Sequence, residues 1–242
     1  MELPSLMAMS RQMSLQKEME AIANNVANLN TNGYKADRVT FNAYTQRPAG
    51  AAVSASMVFP KLGAPHREMQ EGTINATSNP LDVAIRGDAY FVVDTPQGRR
   101  FTRNGHFGLD TQNRLVTDTG RPVLDDRNRP LVVPQDAGQV TINSDGSVSA
   151  GEQRIGKIQL VAFDDPQQLK RVGDGLFTSD ATPKPASDTE VVQGALETAN
   201  VEPVLEMTRM IETARAYEQA QKILDTENDR MRRGIETLAK VA

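Results

Sequence analysis

The 242-residue sequence predicts an α+β fold in which long N- and C-terminal helices pair as a coiled coil, with a central, mostly antiparallel β domain between them. An apolar stripe with alternating three- and four-residue spacing lies near each end of the chain, and short β-favouring segments separated by turn signals fill the middle. We expect an N-terminal helix over 1–35, an extended connector over 36–72, a β-rich core domain over 73–198 and a C-terminal helix over 199–242. The first and last of these segments would together form an inner helical domain.

The N-terminal stripe ends at a cluster of residues that favour caps and turns. Its members are Leu15, Met19, Ile22, Val26 and Leu29. The next four residues are Asn-Thr-Asn-Gly, types that favour helix ends over helix interiors. We therefore expect the first helix to end there, with Gly33 in a left-handed backbone conformation.

The C-terminal stripe is longer. A single helix from about Pro203 to Lys240 would extend about 55 Å at the standard rise, which exceeds the usual length of a globular helix. Two polar residues, Gln221 and Asn228, interrupt the stripe, and they either fix the register of a packed seam or face solvent. The apolar members are Met207, Met210, Ala214, Tyr217, Leu224, Met231, Ile235 and Leu238.

Two interpretations fit such stripes. An arbitrary amphipathic helix usually packs on the core of its own protein. Here the length, the even register and the position at both chain ends favour pairing between the two ends, continued by helices of other copies. We therefore predict that the apolar residues of both stripes form an assembly interface.

Between the helices, β-favouring runs alternate with turn signals that include Gly98, Gly105 and Gly120. We expect eight or more short strands over about 73–198, mostly antiparallel. The segment before them is rich in proline and alanine and has weak periodicity, so we expect an extended connector there.

Composition excludes several classes of function. The formal net charge is −4 and no basic run is interleaved with aromatic residues, so nucleic-acid binding is not expected. The chain contains no cysteine, which removes disulfides, thiolate nucleophiles and cysteine-ligated metals. No window approaches about twenty consecutive apolar residues, so no transmembrane segment is expected. Arg11 and Lys17 interrupt the apolar stretch that a cleavable signal peptide would need, so no standard signal is expected either.

Catalytic and metal-binding patterns are not found in the sequence. His66 and His106 have no spacing partners for a metal ion, and no nucleophile elbow or phosphate-binding loop occurs. We expect no cofactor and no enzymatic activity.

Two short motifs have simpler explanations than their best-known functions. Arg86-Gly87-Asp88 matches an adhesive motif, but it directly precedes a predicted strand, which favours a tight turn. The segment from Thr141 to Glu152 partly matches a calcium loop. Its first position is threonine and its flanks are β-like, so a hairpin turn at 143–146 is favoured.

The N-terminal motif resembles the signature of the bacterial flagellar basal-body rod and hook proteins. Its residues are Asn24, Asn25, Asn28, Asn30, Thr31, Gly33 and Tyr34, followed by Lys35. Segments at 79–93 and 192–218, and the run "TRNGHFGLD" with "TGRPVL", resemble further segments of that family. The chain departs from the family pattern at Ala89-Tyr90, where Gly-Phe is usual, and at Asn32.

The resemblance implies a structural, non-enzymatic subunit of the flagellar rod. It implies export by the flagellar type III apparatus without a cleaved signal, assembly with other rod subunits and with copies of itself, and torque transmission across the periplasm. The terminal helices would form the inner coiled-coil wall. Within the family, the proximal rod component is the most similar type and the distal rod protein is the close alternative. The alternative from another class is a secreted β-rich binding or adhesive module that presents Arg86-Gly87-Asp88; an enzyme would require a deep pocket with convergent carboxylates.

Overall fold

The computed structural model describes residues 3–46, 57–135, 138–186 and 189–241. The chain forms two compact units. One, which we call the helical unit, contains Met1–Ala27, Asp37–Arg67 and Glu202–Ala242. The other, which we call the β unit, contains Asn28–Ala36 and Glu68–Val201. Two helices and mostly antiparallel sheets confirm the predicted α+β class.

The helical unit contains both helices and one pair of strands. Helix α1 spans Leu3–Ala27, and helix α2 spans Pro203–Val241 over 39 residues. Proline suits the first position of α2, because the first amide groups of a helix have no partner within it. The predicted C-terminal helix is therefore present at its predicted length. Helix α1 ends two residues before Leu29, the last member of its stripe, because Asn28 already accepts a turn hydrogen bond from the Thr31 amide at 3.1 Å.

The segment for which an extended connector was expected contains two long strands. Strand β1, Asp37–Gln46, pairs antiparallel with β2, Met57–Arg67. Pro60 and Pro65 lie within β2 opposite Ala43 and Val39. Each strand of a two-stranded ribbon has a free outer edge, where a residue without an amide hydrogen loses no ladder hydrogen bond. Proline therefore did not prevent strand formation here.

The β unit is built from short strands. They are β3 Ile74–Ala76, β4 Val83–Arg86, β5 Tyr90–Val93, β6 Arg100–Thr102, β7 Phe107–Leu109, β8 Leu115–Thr117, β9 Val140–Ile142, β10 Ser147–Ala150, β11 Gln153–Lys157, β12 Leu160–Ala162, β13 Lys170–Gly173, β14 Leu176–Thr178, β15 Lys184–Pro185, β16 Glu190–Gln193 and β17 Ala195–Glu197. One 3₁₀ turn, Pro166–Gln168, precedes β13. The expectation of eight or more strands in this region is confirmed.

The strands form one large sheet and several small ones. The six-stranded sheet has the order β13-β14-β6-β5-β12-β15, and a three-stranded sheet has the order β11-β10-β9. Strands β16 and β4, β17 and β3, and β7 and β8 form pairs. Every strand pairing in the described ranges is antiparallel, as short hairpin connections favour.

The core of the β unit lies on both faces of β5. Phe91 and Val93 belong to one cluster of buried residues, and Tyr90 and Val92 belong to another. A strand that is buried on both faces reads as a continuous apolar run, which explains why the sequence Tyr-Phe-Val-Val does not alternate. The Phe163 ring packs edge to face with Tyr90 at a centroid distance of 5.9 Å.

The two short motifs both lie in turns. Arg86 ends β4, and Gly87 has a φ of 97° before β5 begins. The amide of Gly146 donates to the carbonyl of Asn143 at 2.9 Å, which closes the predicted hairpin between β9 and β10.

Gly33 has a φ of 67°, so the predicted left-handed conformation is confirmed. Its position was expected at the helix end, but α1 ends at Ala27 and a turn intervenes. Within the β unit, the Gly33 amide donates to the Glu197 carbonyl at 2.8 Å. A Cβ atom at this position would lie 2.5 Å from the backbone carbonyl carbon of Arg103. Glycine is therefore required by both backbone conformation and contact.

Replacing Gly33 with alanine should destabilise the protein much more than replacing Gly98. Both glycines have positive φ, but a Cβ atom at Gly98 meets nothing within 4 Å. The left-handed conformation costs each variant about 1–2 kcal/mol, and the clash with Arg103 adds about 1–3 kcal/mol for Gly33→Ala alone. Urea unfolding of the full chain measures the difference, and equal midpoints for the two variants would contradict this explanation.

Candidate assembly interface

The predicted interface residues of the first stripe differ in their surroundings. Ile22 is buried, with 4% of its surface exposed, whereas Leu15, Met19 and Val26 are half-buried. Leu29 lies beyond α1 and belongs to the β unit, where it packs against a small apolar cluster. Four of the five residues thus lie on α1.

The predicted residues on α2 are mostly half-buried or exposed. Met207 and Ile235 are exposed by 53% and 67%. The Leu238 side chain lies outside the described part of the structure. The half-buried residues are Met210, Ala214, Tyr217, Leu224 and Met231.

Within a single chain, the most buried residues of α2 lie one position before three residues of the predicted stripe. Glu206, Thr213 and Ala220 are buried, with 0%, 5% and 2% exposure. They directly precede Met207, Ala214 and Gln221, at the same seven-residue spacing. Because the buried residues are polar or small, counting apolar residues could not identify this face. Gln221 and Asn228 are exposed in the single chain, although Gln221 also accepts a hydrogen bond from Gln12 of α1 at 2.6 Å.

Helices α1 and α2 contact each other through polar side chains. The Gln12 amide donates to the Tyr217 hydroxyl at 2.9 Å and to Gln221 Oε1 at 2.6 Å. Asn25, later on α1, donates to Glu206, earlier on α2, at 3.1 Å. The two helices are therefore antiparallel where they meet.

Asn25 joins α1 to the start of β1. It is fully buried, and its Nδ2 and Oδ1 atoms bond the carbonyl and amide of Asp37, each at 2.9 Å. The side-chain amide thus pairs with the Asp37 backbone as a neighbouring strand would. Its third hydrogen bond, to Glu206, completes an anchor that orders three segments of the helical unit.

Glu206 is a buried carboxylate that is neutralised by arginines. Arg38 on β1 donates to Oε1, and Arg209, one turn further along α2, donates to the same atom at 3.0 Å. Burial by itself would raise the pKa of Glu206, but the hydrogen bonds from Arg38 and Asn25 and the charges of both arginines outweigh it. The pKa is therefore lowered, and Glu206 is ionised at neutral pH.

A second buried cluster lies in the β unit around Glu197. Lys35 Nζ donates to Glu197 Oε1, and Arg103 Nε donates to Oε2, both at 2.8 Å. All three side chains are at most 3% exposed. The Gly72 amide also donates to Oε1 at 3.1 Å. This cluster joins Lys35, which follows the N-terminal motif, to strand β17.

The electrostatics of this cluster favour an ionised carboxylate. Burial would raise the pKa of Glu197, but the charges and hydrogen bonds of Arg103 and Lys35 lower it below its usual value. The pKa of Lys35 is lowered, chiefly by burial, although the Glu197 charge opposes that shift. Lys35 also donates to the Gln70 carbonyl at 2.6 Å, and Arg103 donates to the Ala89 carbonyl at 2.8 Å. Backbone carbonyls thus accept hydrogen bonds from Lys35 and Arg103 in addition to those that Glu197 accepts.

The other motif residues shape the turn that follows α1. Asn28 accepts hydrogen bonds from the amide and the hydroxyl of Thr31, both at 3.1 Å. Asn24 and Asn30 are exposed. Tyr34 is buried, and the Arg171 guanidinium lies 4.4 Å from the centre of its ring.

Most of the charged residues in these two clusters carry no signal in the sequence. Arg38, Arg103, Glu197 and Glu206 belong to residue types that are usually exposed, and no periodicity marks them. Lys35 was noticed only as part of the motif. Its position next to Gly33 and Tyr34 was the one available signal.

Neither a metal cluster nor a membrane-spanning helix is found in the described ranges. No group of three or more histidine, cysteine, aspartate or glutamate residues there could hold a metal ion. Neither described helix combines the length and apolar character needed to cross a bilayer.

Three protein-family profiles match separate parts of the chain. The profile described as flagella basal body rod protein matches residues 6–35. The flagellar hook protein FlgE/F/G D1 domain matches residues 84–150. The flagellar basal body rod FlgEFG protein C-terminal profile matches residues 192–237.

Individual relatives match nearly the whole chain. The flagellar basal-body rod protein FlgF of Caulobacter vibrioides is 37% identical over 236 residues, which cover 96% of each chain. This chain belongs to the flagellar basal-body rod protein family. FlgF of Mesorhizobium japonicum is 37% identical over 87% of each chain. The rod protein FlgG of Bacillus subtilis is 32% identical over 89% of this chain and 91% of its own. The rod family is structural and not enzymatic, and the predicted family is confirmed.

Removing the Glu197 charge should destabilise this rod-family protein at neutral pH. Glu197→Gln leaves Lys35 and Arg103 buried with only a distant counter-charge, Glu71, whose carboxylate lies 3.9 Å from Arg103, and breaking such a cluster costs about 3–5 kcal/mol. Glu190→Gln is the control, because its pair with Arg86 is solvent-exposed and contributes little. Urea unfolding at pH 7 measures both effects. Similar losses in the two variants would argue against a special role for Glu197.

The Glu197 cluster should make the free energy of unfolding depend on pH in the acid range. Because the folded pKa of Glu197 is lowered, its contribution is fully present above the unfolded pKa of about 4.3. This contribution is lost as the pH falls through the lower pKa that Glu197 has in the folded state. The wild type should therefore lose more stability between pH 5 and pH 3 than Glu197→Gln does. Parallel pH profiles for the two proteins would contradict the assignment.

Asn25→Asp should destabilise the helical unit, whereas Asn24→Asp should not. The first change places a second carboxylate against Glu206 and removes the donor to the Asp37 carbonyl, at a cost of about 3 kcal/mol or more. The second change makes the same substitution at an exposed neighbour. Thermal unfolding followed by helical circular dichroism compares them, and matching melting temperatures would show that Asn25 is not an anchor.

Proposed function

We propose that this chain is a structural subunit of the flagellar rod, of the FlgF type that forms its proximal part. The observation that carries the proposal is the 37% identity to a FlgF rod protein over 96% of each chain. The distal rod protein remains the alternative within the family, because FlgG of Bacillus subtilis matches at 32% identity. The higher identities to FlgF proteins favour the first assignment.

We further propose that the terminal helices assemble the rod as coiled coils with copies of this chain and with other rod subunits. Met207 and Ile235 are exposed in the single chain, as residues that await a neighbour would be. Further apolar side chains on α1, Met9 and Met13, are exposed by 48% and 62%. Burying one such side chain in a neighbouring subunit would stabilise each contact by about 1.5–3 kcal/mol.

The lengths of the helices also support assembly. From the contacts of Gln12 with Tyr217 and Gln221, the first described residue of α1 corresponds to a position on α2 at about residue 226–230. Helix α2 continues to residue 241, and the side chains of 232–237 are all exposed. Since long exposed helices gain little stability alone, neighbouring subunits would provide the missing contacts.

Position and export are proposed from the resemblance. The rod would span the periplasm and transmit torque, with the terminal helices forming its inner wall. The subunit would reach it through the flagellar type III export apparatus without a cleaved signal.

Deleting the gene tests the function directly. A rod subunit's loss should abolish both flagella and swimming, and complementation with the wild-type gene should restore them. A deletion strain that swims normally would overturn the proposal. Rescue of a FlgF-deficient strain, but not of a FlgG-deficient strain, of a closely related bacterium would distinguish the proximal from the distal assignment.

Ile235→Asp should prevent rod assembly without unfolding the subunit. Ile235 is exposed in the single chain, so a carboxylate there costs little until a neighbour would cover it. Arg232→Asp is the matched control, because it makes a larger charge change at an exposed position outside the predicted stripe. Swimming and basal-body electron microscopy measure assembly, and thermal unfolding of the purified subunit checks the fold. Normal rods in the Ile235→Asp strain would show that this residue is not in the interface.

A further inference from the structure

The β unit contains a cavity whose walls are mostly charged. It has a volume of about 310 Å³ and lies between the turn that follows Leu124 and strand β11. Four basic and two acidic side chains line it, an excess of two positive charges on a chain whose net charge is −4. The basic side chains are Arg127, Arg129, Arg154 and Lys157.

One of the two carboxylates is already neutralised inside the turn. Asp125 is buried, and its Oδ1 atom accepts hydrogen bonds from the amides of Arg127 and Arg129 at 2.9 and 2.7 Å. Its Oδ2 atom accepts from the Arg129 guanidinium at 3.0 and 3.2 Å. The Asp125 and Arg129 charges therefore cancel, and these hydrogen bonds hold the turn that carries Arg127.

The remaining cations are not neutralised in the same way. None of the ion pairs formed by the described residues includes Arg127, Arg154 or Lys157. Asp145 does not line the cavity. Its pKa is lowered by hydrogen bonds from Ser147 and then by the charges of Lys157 and Arg154 on β11. Asp126 is thus the one lining carboxylate left to oppose three positive charges.

The backbone holds both walls in place. The Asp126 amide donates to the Lys157 carbonyl at 3.0 Å, so the turn is fixed to the end of β11. Gly156 lies between Ile155 and Lys157 in the lining, and a Cβ atom there would lie 2.8 Å from a Leu131 methyl carbon. The absence of a side chain at this position lets β11 lie close to the core.

We propose that this cavity binds a small oxyanion with two or more negative charges, of the phosphate or carboxylate type. Arginine donates two parallel hydrogen bonds to such groups, and lysine adds a mobile point charge. The volume is at the lower end of the range for ligand sites, which suits a small anionic group. This site is independent of the terminal helices and goes beyond the proposed rod function.

Titration of the full ¹⁵N-labelled chain with pyrophosphate or citrate, each at low ionic strength to limit screening, tests the proposal. We expect saturable shifts confined to residues 125–129 and 153–157, with a Kd of about 1 mM or tighter. Pyrophosphate alone, citrate alone or both binding would each support an oxyanion site and would show which oxygen chemistry it prefers. No saturation by either anion up to about 10 mM would overturn the proposal.

A charge-matched pair of double variants separates a defined site from general attraction. Arg154→Gln/Lys157→Gln should weaken binding about tenfold or more, because charge-assisted hydrogen bonds are lost. Arg86→Gln/Lys170→Gln removes the same charge from exposed positions elsewhere and should change the Kd less than about twofold. Equal weakening in both would overturn the proposal. Melting temperatures confirm the fold, and Lys157→Gln alone replaces the first double variant if that variant unfolds.

Discussion

The carboxylate of Glu197 lies where the N-terminal motif, strand β17 and Arg103 meet, and the order of all three depends on it. A buried charge without partners is very unfavourable, yet this one receives hydrogen bonds from Lys35, Arg103 and the Gly72 amide. The backbone carbonyl of the same residue accepts from Gly33. One residue therefore holds the motif through both side chain and backbone. Because buried ion pairs often add little net stability, the main effect of this cluster is to define position.

The helical unit contains a similar arrangement around Glu206. A buried carboxylate again pairs with two cations, Arg38 and Arg209, and the Asn25 side-chain amide donates to its other oxygen. In both units the carboxylate joins segments that lie far apart in the sequence. Apolar packing alone tolerates small displacements, whereas hydrogen bonds with fixed directions do not. Such clusters can therefore align long helices and short strands more strictly than a core of interchangeable apolar residues.

Periodicity predicted the elements better than it predicted their surroundings. The extent of α2 followed from a regular apolar stripe, and the strands of the β unit followed from β-favouring runs between turn residues. The paired strands β1 and β2 were not predicted, because prolines that would break a central strand are tolerated in a two-stranded ribbon. The buried anchors were missed for a different reason. A buried Glu206 and an exposed glutamate look the same in a sequence, and only tertiary contacts distinguish them. The assembly interface itself stays a prediction, because a single chain cannot display contacts between copies.

The one-residue offset between Glu206 and Met207 on α2 has a consequence for how the protein can change over generations. Glu206, Thr213 and Ala220 serve the chain's own fold, while Met207 and Ile235 point to surfaces that the chain itself leaves open. Two sets of residues on one helix are therefore under different constraints. Through the proposed interface of the second set, a lineage could alter the affinity between subunits and retain a foldable monomer through the first, so that the partners of a rod protein could diversify without a new fold.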